Sequence, residues 1–98
     1  MGKLHTPEIE RLVKAVLKLE TEDECFSFFE DICTIKEIQD MSQRLHVAEM
    51  LDQNRSYTDI SKETGASTAT ISRVNKCLNY GSDGYRRVLD KLNAKETE

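Results

Sequence analysis

The residues whose types and spacing could do chemistry lie in one stretch, Tyr57-Thr-Asp-Ile-Ser-Lys-Glu-Thr-Gly65-Ala-Ser-Thr-Ala-Thr-Ile-Ser-Arg-Val-Asn-Lys-Cys-Leu78. On a helix turning about 100° per residue, Ala69, Ser72, Arg73 and Lys76 share one face, with Thr68 at its leading edge. Ile71, Val74 and Leu78 fall on the opposite face. Small hydroxyl- and methyl-bearing side chains allow a helix to approach base edges, where Ser and Thr donate or accept hydrogen bonds. Arg73 and Lys76, with Lys62 upstream, are placed to reach phosphates. A helix face that only meets water favours Glu, Lys and Gln, so the run Thr68-Ala-Thr-Ile-Ser72 is out of place as plain solvated surface.

Holding such a face requires two helices and a tight turn. Ile60 anchors the first helix, Ser61 is small where the helices cross, and Gly65 supplies the backbone freedom of the turn. Ser67 or Thr68 caps the second helix, which Ile71 and Val74 pin. The segment therefore reads as a helix-turn-helix over about 57–78. An ordinary helical hairpin shares much of this spacing, and Thr64 and Ala66 are less apolar than a strong motif offers.

The remaining elements are also helical. Pro7 suits a first turn, and Ile9, Leu12, Val13, Val16 and Leu17 recur at helical spacing, which predicts a helix over 7–20. Thr21 with Glu24 reads as a capping box that opens a second helix carrying Cys25, Phe26, Phe29, Ile32 and Cys33. All three phenylalanines lie there. Phe28 points away from Phe26 and Phe29, and a short helix apolar on more than one side meets more than one neighbour, which suggests a dimer interface.

Thr34 with Glu37 opens a long helix through Ile38, Met41, Leu45, Ala48 and Leu51 to about Gln53, where Asn54 ends it. After the loop Gly81-Ser82-Asp83-Gly84, Tyr85, Val88, Leu89 and Leu92 predict a last helix, with residues 93–98 as a frayed tail. Six helices and no strand make an all-α protein. One domain over 1–98 is expected, with 1–54 and 82–92 serving mainly dimerisation.

The 98 residues carry a net charge of −4, with 33% charged and 38% hydrophobic side chains. That balance argues against nucleic acid until it is located. Residues 1–54 hold six basic and twelve acidic side chains, whereas 55–92 hold seven and four. An acidic half joined to a basic half fits assembly by one part and phosphate contact by the other. No apolar run is long enough to span a bilayer, and the N-terminus lacks the pattern of a signal peptide, so the protein is expected in the cytoplasm and off the membrane. Cys25, Cys33 and Cys77 are odd in number and form no C-x-x-C pair, so buried, reduced thiols are expected in place of disulfides or zinc. His5 and His46 have no metal-site neighbours in sequence and read as surface residues. No nucleophile with a base and no phosphate loop is present, so neither an enzyme nor a cofactor is expected.

From Thr34 to Leu89 the chain resembles the Trp-repressor superfamily, and as a whole its YerC/YecD-like branch of bacterial regulators. The most specific stretch is Gly65-Ala-Ser-Thr-Ala-Thr-Ile-Ser-Arg73; Thr34 and Arg44 also match. The resemblance implies a six-helix fold, interlocked with a second copy into a homodimer that presents two reading heads to successive major grooves of double-stranded DNA. With it goes the expectation of a transcription regulator, a repressor; the DNA-binding residues read from the motif itself are Lys62, Ser67, Thr68, Ala69, Ser72, Arg73 and Lys76.

In tryptophan-dependent members the corepressor's indole lies between two arginines, with its carboxylate held near a threonine. The matching residues here are Arg44, Arg73 and Thr34, which the resemblance implies as a small-molecule effector site. The residue after the second arginine is glycine in those members and Val74 here, and its side chain would intrude on the indole. The resemblance thus leaves two expectations: effector-independent DNA binding with Val74 filling the cavity, or a smaller ligand held by Arg44 and Thr34. The alternative to a regulator is a helical adaptor that docks a partner protein on its acidic half.

Overall fold

A computed structural model of the chain describes residues 4–96, with side chains described to residue 94. Two compact units divide it, Met1–Ile35 and Lys36–Glu98.

The first unit holds α1 (Pro7–Leu17) and α2 (Glu22–Ile32). Thr6 caps α1, its hydroxyl accepting from the Ile9 amide at 3.2 Å, and Pro7 takes the first turn. Helix α1 stops at Leu17, three residues before the expected end. The capping box at α2 is formed with a shift of one residue. Thr21 Oγ1 accepts from the Glu24 amide at 3.1 Å, while the Glu24 carboxylate accepts from the amide of Glu20, not of Thr21. Neither helix contains a buried residue. Leu17 is 76% exposed and Phe26 65%, and Leu12, Val13, Val16 and Ile32 are exposed as well. Phe28 and Phe29 are half-buried, with ring centroids 6.1 Å apart.

The core lies in the second unit, among α3 (Ile35–Asp52), α4 (Tyr57–Thr64), α5 (Thr68–Tyr80) and α6 (Gly84–Glu96). Val47, Ala48 and Met50 of α3 pack with Ile60 of α4, Ala66 of the turn, Ile71, Val74 and Leu78 of α5, and Leu89 of α6. Leu45, Leu51 and Tyr85 pack against this cluster.

Asn54 ends α3 in the left-handed conformation (φ 61°). The Arg55 amide bonds the Met50 carbonyl and the Asn54 amide that of Leu51, a Schellman motif that satisfies two carbonyls of the last turn. Helix α6 continues to Glu96, four residues past Leu92, so the tail expected to fray from residue 93 is helical to that point. The frame is thus six helices with no strand among the described residues. None of the helices is long and apolar enough to cross a membrane.

Candidate nucleic-acid interface

Each of the two central helices begins on a serine. Ser56 Oγ accepts from the Asp59 amide at 3.1 Å and opens α4; Ser67 Oγ accepts from the Thr70 amide at 3.1 Å and opens α5. Such caps satisfy amides that would otherwise lack a partner in the first turn. Ser67 also donates to Thr70 Oγ1, so its hydroxyl is engaged within the helix start.

The turn between them depends on Gly65, at φ 76° and ψ 3°. A Cβ there would have nothing within 4 Å, so the requirement is conformational, not one of space. Gly65→Ala is therefore expected to lower stability by about 1–2 kcal/mol, the cost of a left-handed L-residue, and Gly65→Asn by less. Chemical denaturation of the two variants checks the order.

Thr64 and Ala66, the weak points of the motif on hydropathy alone, have definite work in the turn. Thr64 Oγ1 donates to the Ile60 carbonyl at 2.7 Å and accepts from the Ala66 amide at 3.1 Å. Ala66 is 2% exposed, a place where a larger residue would meet the core. Gln43 of α3 donates its side-chain amide to the Thr64 carbonyl at 3.1 Å and ties the turn to the long helix. Sequence reasoning missed Gln43, because the bond joins residues 21 apart.

Helix α5 divides as its spacing predicts. Ile71, Val74 and Leu78 are buried, whereas Thr68, Ala69, Ser72, Arg73 and Lys76 are exposed. Lys62 of α4 lines the same shallow groove as Thr68, with Tyr57, Thr58 and Ser61. No acidic residue occurs in α5.

The acids of α4 lie in a separate ion-pair network. Glu63 contacts Arg55 at 3.5 Å and His46 Nε2 at 3.3 Å, and Asp59 lies 3.9 Å from Arg55. Lys62, Arg73 and Lys76 are exposed and make no ion pair among the described residues. Arg86 of α6 is occupied: its guanidinium donates to Asp52 at 2.5 Å and to Asn79 at 3.4 Å.

One expectation about side chains changes. The cysteines are free as expected, but none is fully buried: Cys25 and Cys33 are half-buried and Cys77 is exposed. Cys77 lies in the last turn of α5, beside the stripe formed by Val74 and Leu78. His5 and His46 are surface residues, each beside a carboxylate, and no group of three or more His, Cys, Asp or Glu could hold a metal among the described residues.

Of the effector-matching residues, Thr34 immediately precedes α3, Arg44 is exposed on it, and Arg73 is exposed on α5. Val74 is 3% exposed within the core cluster. Sequence reasoning missed Tyr85 here. Burial raises its phenol pKa above the ordinary 10.0 and the Cys77 thiol adds to the rise, while the guanidinium groups of Arg44 and Arg73 pull it down.

An eight-residue helix, a left-handed glycine turn and a thirteen-residue helix with a small, polar and cationic outer face make this a helix-turn-helix protein. The chain belongs to the Trp repressor family, whose model, described as Trp repressor protein, matches residues 7–93. YerC of Bacillus subtilis (strain 168) is 52% identical over 98 residues, covering 100% of this chain and 94% of its own. The crystal structure of a TrpR-like protein from Eubacterium eligens is similar with a TM-score of 0.91 and 56% identity, over 95% of this chain and 96% of that one. A solved structure from Staphylococcus aureus gives a TM-score of 0.89 at 49% identity, over 94% and 92% of the two chains. These relatives bear out the all-helical Trp-repressor-like fold and the YerC-like resemblance.

Proposed function

We propose that the chain is a sequence-specific, DNA-binding transcriptional repressor that acts in the cytoplasm as a homodimer, without tryptophan as its effector. One observation carries this reading: the outward face of α5 combines small hydroxyl side chains with unpaired cations, while its inward face is locked into the core. In this reading Thr68, Ala69 and Ser72 meet base edges, and Lys62, Arg73 and Lys76 meet phosphates. Ser67 holds the first turn of α5, whose free amides are suited to a phosphate oxygen.

The homodimer is supported by the first unit. Its two helices bury no side chain of their own, and large apolar side chains left exposed in this number suit an association site. A second copy of the chain would cover Leu12, Val13, Val16, Leu17, Phe26 and Ile32.

DNA titration at two ionic strengths tests the reading. A regulator binds any duplex at low salt and retains only a preferred one at higher salt. An adaptor on the acidic half would bind no duplex at either, and that result would overturn the proposal.

The effector part of the reading rests on volume. A side chain forced into a packed site costs about 1–3 kcal/mol, so Val74 would weaken tryptophan binding by roughly one to two orders of magnitude relative to glycine. Titration calorimetry is expected to show no uptake of L-tryptophan at micromolar concentration by the natural protein and stronger uptake by Val74→Gly. Micromolar binding to the natural protein, with a rise in operator affinity, would instead make tryptophan its corepressor.

A further inference from the structure

Helix α5 carries two polar side chains that the reading face described above does not use. Thr68, Ser72, Asn75 and Asn79 stand at i, i+4, i+7 and i+11, so the two asparagines continue the stripe begun by the two hydroxyls. Asn79 is exposed and Asn75 half-buried. Both are ordered by a cation from another helix. Arg86 of α6, held on Asp52 of α3, donates to Asn79 Oδ1 at 3.4 Å. Asn79 Nδ2 in turn donates to Asn75 Oδ1 and to the Asn75 main-chain carbonyl, both at 3.0 Å.

The direction of this relay is fixed at its start. A guanidinium only donates, so Asn79 must turn its oxygen toward Arg86 and its NH2 group toward Asn75, and Asn75 must answer with its own oxygen. Asn79 is thereby used up, with its oxygen on Arg86 and its NH2 group on Asn75. Asn75 is not: its NH2 group makes no hydrogen bond among the described residues.

We propose that Asn75 is a further DNA contact of α5, its NH2 group donating to a backbone phosphate oxygen, and that Asn79 and Arg86 are positioning residues that hold it as a donor. The proposal rests on the reading of α5 as the recognition helix and adds one contact to it. A phosphate fits better than a base because a recognition helix presents its N-terminal residues to base edges, and Asn75 lies about 10 Å along the axis from Thr68. Phosphate oxygens accept and do not donate, so a carboxamide serves there in one orientation only. The relay imposes that orientation before DNA arrives.

Affinity measured over a salt series, on preferred and scrambled duplexes, tests this with the full chain. Asn75→Ala is expected to weaken binding to every duplex by about tenfold, with the preferred sequence and the salt slope unchanged, because a neutral donor displaces no counterion. That separates it from Lys76→Gln, which flattens the slope, and from Ser72→Ala, which changes the preference. Asn79→Ala and Arg86→Met are each expected to lose about threefold in the natural chain and nothing further in Asn75→Ala, since they act only through Asn75. Unchanged affinity of Asn75→Ala, a change in its preferred sequence, or an equal loss from either partner variant in both backgrounds would overturn the proposal.

A second readout contains no DNA. Asn79→Ala and Arg86→Met should each shift the side-chain NH2 resonances of Asn75 in an amide correlation spectrum, and resonances that stay in place would overturn the relay. Asn79 is exposed, so its variant decides if Arg86→Met does not fold. Affinity lost in Lys76→Gln but not in Asn75→Ala would overturn this proposal alone, whereas no loss in either would overturn the reading of α5 with it.

Discussion

Replacing Lys76 with glutamine is expected to weaken binding to every duplex and to flatten its salt dependence, while Thr68→Ala and Ser72→Ala change which duplex is preferred. The difference follows from what each group would touch. A lysine on a phosphate releases counterions, and each such contact contributes about 0.9 to the slope of log affinity against log salt. A homodimer loses two contacts per substitution, so its slope should fall by about 2. A hydroxyl on a base edge contributes nothing to that slope but about 1–3 kcal/mol to discrimination, which is roughly five- to 150-fold between matched and mismatched sites. The exposure of Thr68, Ser72 and Lys76 and the burial of Ile71, Val74 and Leu78 make the substitutions separable from folding. Anisotropy titrations over a salt series, on preferred and scrambled duplexes, read both effects. If Thr68→Ala and Ser72→Ala leave the preferred sequence and its affinity unchanged, the reading face has been misassigned.

If the proposed homodimer forms through α2, Phe26→Asp is expected to leave a monomer and to lower affinity for a two-fold site by about a hundredfold or more. Phe26 is 65% exposed on a helix with no buried residue, so the substitution removes little from the chain's own packing. In an interface with a second copy, the same carboxylate would be desolvated without a partner, a penalty of several kcal/mol per ion. Losing the dimer also loses the second reading head, and with it an avidity gain of about 10²–10⁴. Light scattering should report about twice 11.2 kDa for the natural chain and 11.2 kDa for the variant. A natural chain that is a stable folded monomer at micromolar concentration would contradict the paired arrangement.

Much of this architecture is legible in the sequence because its signals are local. Thr6, Thr21, Ser56 and Ser67 cap helices where a hydroxyl precedes a periodic run, and Asn54 and Gly65 stop helices in the left-handed conformation they tolerate. The burial of Ile71, Val74 and Leu78 follows from helical spacing alone. What stayed hidden depends on residues far apart in the chain. Gln43 reaches the Thr64 carbonyl across 21 positions, and Arg86 reaches Asp52 across 34. The packing of Tyr85 against the core cluster likewise appears only once α6 lies against it. The fitness of Thr64 and Ala66 is invisible to hydropathy, which does not register a hydroxyl that closes a turn or a methyl buried in the core.

The candidate site follows the same division. Spacing predicts the outward face of α5, but the engagement of Arg86 with Asp52 and Asn79 depends on how α6 lies against α3 and α5.

The central claim, that two copies of α5 read a two-fold DNA site, is tested most directly by selecting bound duplexes from a random pool with the natural protein and no added effector. Enrichment of a palindrome whose half-sites lie about one helical turn apart, about 10 base pairs, is the predicted result. Recovery of an unenriched pool at every salt concentration, or of a single half-site without its symmetric partner, would contradict it.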